Sequence, residues 1–394
     1  MNKIRLLLLG LGMILNFMLT ILSYIIPKDR NLILLGSYNT FAGNTKTFYL
    51  YCLSKARNNF KIYWITHNKC IYRLLVNRQL PVLYIYTLDA FIHILRARYL
   101  LLTHGPIDIS YFYFLFGKFN MIQTWHGIAL KDITPTAEQK APLYMRIINY
   151  FSRLTDRNYK LILATSEDTR RIFISAFNNE NVKIIGYPRN DVFYNKELLY
   201  EDYREKLHLY NFSKVILYCP TFRENPTLQP FSNDFLNVLN EYLKFNNFIM
   251  LIKRHPYDNF LLNSINESHL SNIIDISAIV IDVQDLLPHV DILITDYSSI
   301  LFDFPLLDRP IIFYPYDINL YTEKCRSLNY DYFEELPGPF ATNEKELLEV
   351  IKRIDIIGMD DSYREKYKTF KRKFHYYDDG KACERLLDYL LKEL

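Results

Sequence analysis

Short apolar runs closed by polar or glycine-bearing turns, with amphipathic stretches between them, recur along most of the sequence and constrain its fold more than any other feature. The first series comprises Asn31–Gly36, Lys61–Thr66, Pro81–Tyr86, Tyr99–Thr103, Asn120–Thr124 and Leu161–Thr165. Runs this short and this uniformly apolar predict parallel strands covered on both faces, with helices in the connections. A second series follows: Val215–Cys219, Phe248–Ile252, Asn272–Asp275, Asp291–Thr295 and Pro310–Phe313. Each series predicts one doubly wound α/β domain. A chain of 394 residues is also too long for one ordinary core. Gly186–Asn195 (GYPRNDVFYN) is rich in turn formers and is taken as the hinge, with a ligand cleft between the domains. The expected division is 1–27 as a hydrophobic segment, 28–187 as the first domain and 188–394 as the second. The tail from Asp360 to Leu394 is expected to form helices closing the fold.

The N-terminal segment runs from Leu6 to Ile26 as 21 consecutive residues without a charge. At about 1.5 Å per residue in a helix it matches a bilayer core of roughly 30 Å, so membrane association is expected. Its end at Tyr24-Ile25-Ile26-Pro27 is unlike a small-residue cleavage site. Lys3 and Arg5 precede it and Lys28 and Arg30 follow it, which leaves orientation open.

The formal charge of +4 is spread over 47 basic and 43 acidic residues, too balanced to point to nucleic acid as a partner. Cys52, Cys70, Cys219, Cys325 and Cys383 are far apart and have no metal-ligand spacing, consistent with a reducing compartment and no structural zinc.

Candidate reactive groups gather at the carboxyl ends of the expected strands, where α/β folds present their sites. Asp285–Asp317 combines a buried strand, spaced carboxylates and a helix start at Asp296, Ser298 and Ser299. Free N–H groups and hydroxyls there suit a diphosphate, although a simple helix cap fits the same residues. Gln123-Thr124-Trp125-His126-Gly127 places an imidazole suited to general-base work at another strand end. Lys253-Arg254-His255-Pro256 sets two cations and a second histidine after a third, apt for a leaving diphosphate. Pro220-Thr221-Phe222-Arg223-Glu224 adds a hydroxyl and a guanidinium, and Arg189, Asn190 and Asp191 lie in the hinge. No D-x-D, no Walker-type loop and no strand-linked G-x-G-x-x-G occurs, so D-x-D metal chemistry and dinucleotide redox chemistry lose support. Neutralisation of phosphate charge then falls to helix dipole, Arg and Lys.

QTWHG at 123–127, GYPRND at 186–191, PTFRE at 220–224, RHP at 254–256, the DxLITDYSSxxFDF pattern at 291–304 and FYPYD at 313–317 together resemble the CDP-glycerol glycerophosphotransferase family. GNTK at 43–46 and ELPGP at 335–339 resemble its flanking motifs, so the likeness covers roughly residues 31–390. The resemblance implies a GT-B-like α/β fold, two Rossmann-like domains facing a central cleft. It also implies transfer of glycerol phosphate, or a related polyol phosphate, from CDP-glycerol or CDP-ribitol with release of CMP. The implied acceptor is an undecaprenyl-diphosphate-linked saccharide or growing polymer, in teichoic acid or capsular polysaccharide synthesis. The implied location is the cytoplasmic leaflet of the cell membrane, peripheral or anchored, with no metal or other cofactor required.

Carried over residue by residue, His126 is the base for the acceptor hydroxyl, with Asn44, Trp125 and Gly127 on the acceptor side. His255 and Arg254 act at the donor phosphates, Ser298 and Ser299 bind the pyrophosphate, and Asp317 contacts the donor. Arg223, Thr295, Asp296 and Asp303 complete the donor side. The chain departs from the family pattern at Ile128, where threonine usually follows WHG, and at Ser327, where glycine usually follows the arginine corresponding to Arg326. Both departures bear on donor or acceptor identity. Its length is more like that of the family's priming enzymes than of its long polymerases. The competing readings are a GT-B glycosyltransferase using a nucleotide sugar and an inert membrane scaffold.

Overall fold

The computed structural model describes residues 14, 17–55, 59–109, 117–130, 133, 143–223, 229–254, 270–280, 282–319 and 329–393. His255, Pro256, Glu224, Cys325, Arg326 and Ser327, on which several sequence expectations rest, lie outside them. The described residues fall into two compact units: those within Met1–His126, Ile133–Leu198 and His375–Leu394, and those within Gly127–Asp132 and Leu199–Phe374.

The first unit holds a seven-stranded sheet. Its strands are β1 (Asp29–Leu35), β2 (Lys61–Thr66), β3 (Val82–Tyr84), β4 (Ala97–Leu102), β5 (Asn120–Gln123), β6 (Leu161–Ala164) and β7 (Val182–Ile184). Their order is β3-β2-β1-β4-β5-β6-β7 and every pairing is parallel. The second unit holds a five-stranded sheet of β8 (Lys214–Cys219), β9 (Phe248–Ile252), β10 (Ile273–Asp275), β11 (Ile292–Thr295) and β12 (Ile311–Phe313). Its order is β10-β9-β8-β11-β12, again all parallel.

Burial explains the apolar runs. All five residues of β9 are buried, as are all four of β11 and of β6, because helices cover both faces of a parallel sheet. Leu34, Leu100, Leu102, Ile162 and Ala164 pack in one core, and Ile216, Met250, Ile252, Ile294 and Ile312 in the other. Both orders reverse direction once, between β1 and β4 and between β8 and β11. Such switch points are where open α/β sheets leave a crevice at the carboxyl ends of adjacent strands.

Two sequence expectations are revised. The last helix, Ala382–Lys392, belongs to the first unit and does not close the second, because the Asp191 carboxylate accepts from the amides of Ala382 (3.0 Å) and Cys383 (2.7 Å). The segment taken as a hinge is a 3-10 turn, Pro188–Phe193, with Arg189, Asn190 and Asp191 buried in that same unit. At the N-terminus, residues 17–25 are helical, and among the described residues no helix is long and apolar enough to cross a membrane. Residues 1–13, within which the apolar run begins, lie outside the described residues.

Candidate active-site residues in the two units

In the first unit, β5 ends at Gln123 and the chain turns sharply through Trp125, at φ 57°; Gly127, at φ 149°, begins the short segment that belongs to the second unit. A left-handed conformation is costly for a residue as large as tryptophan and persists only where its surroundings hold it. They do so here. The Trp125 amide donates to Gln123 Oε1 at 3.0 Å, and the indole meets Phe173 and Phe177 edge-on. Asn44, near the start of the helix Gly43–Lys55 and fully buried, donates from Nδ2 to the Thr124 carbonyl (2.8 Å) and the Trp125 carbonyl (3.0 Å). Its Oδ1 accepts from the Arg189 amide at 3.1 Å, and Arg189 Nη1 donates to the His126 carbonyl at 2.7 Å. Asn44 therefore fixes the turn that presents the histidine.

The His126 ring is sandwiched. It stacks on Trp125 at 4.3 Å and on His104 at 5.0 Å between ring centroids. Burial of the ring nitrogens among these groups pushes the imidazole down to about 4, aided by the nearby charges of His104 and Arg189 and opposed by a hydrogen bond with the Thr103 backbone. One side of the residue is nevertheless open to solvent. The ring is neutral at pH 7 and free to accept a proton.

His104 and Asp108 were not singled out from sequence. Asp108 Oδ1 lies 3.1 Å from His104 Nδ1, while its Oδ2 accepts from the amides of Thr103 (2.6 Å) and His104 (2.7 Å). The buried carboxylate thus orients the imidazole stacked on His126. Thr103-His104-Gly105 follows β4 as Trp125-His126-Gly127 follows β5, and that repetition was the available signal.

In the second unit the site residues flank the switch between β8 and β11. Arg223, after β8, makes a two-pronged contact with Asp317, Nε to Oδ2 and Nη2 to Oδ1, both at 2.9 Å. Its Nη1 lies 2.7 Å from Asp296 Oδ2. Asp296, fully buried after β11, accepts at Oδ1 from the Thr221 amide (2.8 Å), the Thr221 hydroxyl (2.7 Å) and the Tyr297 amide (2.6 Å). The rings of Tyr316 and Tyr297 lie 5.3 and 5.5 Å from the guanidinium carbon. One cation is thus held by two carboxylates and two aromatic faces.

Other expected donor-side residues are already engaged. Thr295 is buried and its hydroxyl donates to the Cys219 carbonyl at 2.7 Å. Asp303 is buried and accepts from Gln284 Nε2 at 3.0 Å. Arg254, after β9, is paired with Asp275 through Nε at 2.8 Å, and its amide donates to the Ser277 hydroxyl. Burial pushes the Lys253 ammonium down, and its Nζ donates to the Ser277 carbonyl. Ser298 and Ser299 differ: both are half-buried, and neither hydroxyl has a hydrogen-bond partner among the described residues. The helix they precede is a single turn, Ile300–Asp303, cut short before Pro305 and continued as a 3-10 turn, so its dipole is weaker than the sequence suggested. An anion there would be met by hydroxyls more than by a helix end. Among the described residues no cluster of His, Cys, Asp or Glu could hold a metal ion.

Three comparisons bear on these residues. The model of the family CDP-glycerol:poly(glycerophosphate) glycerophosphotransferase matches residues 18–392. The chain is 32% identical over 284 residues to the teichoic acid glycerol-phosphate transferase of Staphylococcus aureus, covering 69% of this chain and 71% of that one. It is 33% identical over 288 residues to the teichoic acid poly(glycerol phosphate) polymerase of Staphylococcus epidermidis, covering 69% of this chain but only 39% of the polymerase. A solved structure of the wall teichoic acid polymerase TagF superposes with a TM-score of 0.77 at 24% identity, covering 100% of this chain and 98% of that one, which establishes a shared fold.

Proposed function

The chain belongs to the CDP-glycerol:poly(glycerophosphate) glycerophosphotransferase family, and from that premise we propose that it transfers glycerol phosphate, or ribitol phosphate, from a CDP-activated donor to a membrane lipid-linked saccharide, releasing CMP. The observation that carries the reading is the family match itself, which runs from residue 18 to residue 392 and so spans both residue sets described above. The pathway is teichoic acid synthesis, with capsule-type polymers as the related alternative. The finer fold reading, two Rossmann-like halves of GT-B type, is supported by two separate parallel sheets, each with its own switch point and core.

The acceptor hydroxyl attacks the β-phosphorus of the CDP-polyol. A new O–P bond forms, the bond to the α-phosphate oxygen breaks, CMP leaves, and the hydroxyl proton passes to the neutral imidazole of His126. Asn44, Trp125 and Gly127 set the position of that ring, and His104 supports its face. On the donor side the diphosphate is met by the unengaged hydroxyls of Ser298 and Ser299. Arg223, its charge offset by Asp296 and Asp317, holds the donor-side strand ends in place. Arg254 and His255 are the further donor-side groups, His255 by resemblance alone. Thr295 and Asp303 act as buried supports for the strand end and the turn after it. The enzyme works at the cytoplasmic face of the membrane in peripheral association.

Donor profiling tests the proposal. Purified protein with a lipid-linked saccharide should release CMP from CDP-glycerol or CDP-ribitol in an acceptor-dependent manner. Turnover of UDP- or GDP-sugars with neither CDP-polyol consumed would instead make it a glycosyltransferase.

A further inference from the structure

At the end of the first unit's sheet opposite His126, the starts of β1, β4, β5 and β6 border a cavity of about 900 Å³. Lys28, Arg30, Arg98, Lys118, Arg157 and Lys160 line it, and none of its described lining residues is a carboxylate. Six cations around one concavity repel one another unless an anion occupies it. Two are anchored from within: Lys28 Nζ donates to the Leu95 carbonyl at 2.7 Å and lies 3.7 Å from the centre of the Phe119 ring. Arg98 reaches the Glu393 carbonyl. Arg30, Lys118, Arg157 and Lys160 remain exposed.

The wall of this cavity continues into the N-terminal segment, which contributes Tyr24 from its helix and Ile26 and Pro27 just after it. Along the helix of residues 17–25, Phe17, Met18, Ile21 and Ile25 are solvent-exposed, with Ile25 69% and Phe17 66% accessible. Spacings of three and four residues place them on one helical face. The opposite side docks on the sheet, where the Lys118 amide donates to the Ser23 hydroxyl at 3.0 Å. Gly117 permits that approach, since a Cβ there would stand 2.3 Å from the same hydroxyl. An apolar helical face beside a cationic concavity is the pairing that an anionic bilayer surface complements, acyl chains against one and headgroup phosphates in the other.

We propose that this cavity binds the phosphate headgroup of an anionic phospholipid while the adjoining apolar face of residues 17–25 enters the interfacial region of the bilayer. The inference rests on the membrane association proposed above and is independent of the transferase chemistry. Its test is therefore binding without substrates, by co-sedimentation of the full chain with phosphatidylcholine vesicles and with vesicles of phosphatidylcholine and phosphatidylglycerol. Wild type should bind the anionic vesicles far more tightly than the neutral ones. The double variant Arg30→Glu, Lys118→Glu, with thermal unfolding checked, should lose about tenfold or more of that binding. A matched reversal of exposed cations elsewhere, Lys345→Glu with Lys366→Glu, should lose much less. Equal losses in the two double variants would reduce the effect to net charge and overturn the pocket. Equal binding to neutral and anionic vesicles, or binding to neither, would also overturn it. CMP release from an acceptor dispersed in detergent, measured in parallel, separates loss of this site from failure of the proposed activity.

Discussion

The residues proposed for the acceptor side, in the first unit, and those proposed for the donor side, in the second, are built on different physics. His126 is held by rings and by backbone carbonyls pinned through Asn44, and the held group is uncharged at neutral pH. Arg223 is held by full charges, two carboxylates closing on one guanidinium with little solvent access. A neutral stacked ring can be removed without orphaning a buried charge. A buried ion pair cannot, because the surviving partner is left desolvated and unpaired. The first region is therefore separable from folding and the second is not.

Asp296→Ala should break that contrast most strongly. It leaves the Arg223 guanidinium without one of its two carboxylates and the amides of Thr221 and Tyr297 without their acceptor, so a loss of about 3–5 kcal/mol is expected in urea unfolding of the whole chain. An unchanged midpoint would show that the second region is no more tightly coupled to folding than the first.

A smaller effect sharpens the first region. Because His126 titrates below the ordinary histidine value, its basic form persists as pH falls, and the acid limb of kcat/KM assigned to it should lie nearer pH 4 than 6.5. The sign for stability follows: between those values the unfolded chain binds a proton that the folded ring refuses, so this group's contribution falls as pH drops through the window. His104→Ala removes both a neighbouring positive charge and part of the covering surface, so the limb should move upward. A limb that stays in place would remove His104 from any part in tuning the base.

Much of the fold was legible because a strand covered on both faces leaves an uninterrupted apolar run. Phe248–Ile252 is the plainest case, and the expected boundaries hold there to the residue. Val182–Ile184 escaped notice because it is three residues long with an exposed lysine at its centre. The strand-end rule singled out Trp125-His126-Gly127 and Arg223, which the structure places after β5 and β8, but passed over His104 and Asp108, whose pairing depends on the 3-10 turn Pro106–Asp108. Contacts spanning long stretches of chain were not legible at all. Arg223 and Asp317 stand 94 positions apart, and Asp191 holds a helix 191 positions further on. Such partners meet only once both strand ends are in place.

The most direct test of the central claim is acceptor-dependent CMP release by His126→Ala beside wild type, with thermal unfolding of both proteins. If neutral His126 takes the acceptor proton, turnover should fall by about 10²–10⁴-fold with the unfolding midpoint nearly unchanged, since the ring is uncharged and one side of the residue is open to solvent. Turnover within a few-fold of wild type in a folded variant would contradict the claim and move the base elsewhere in the chain.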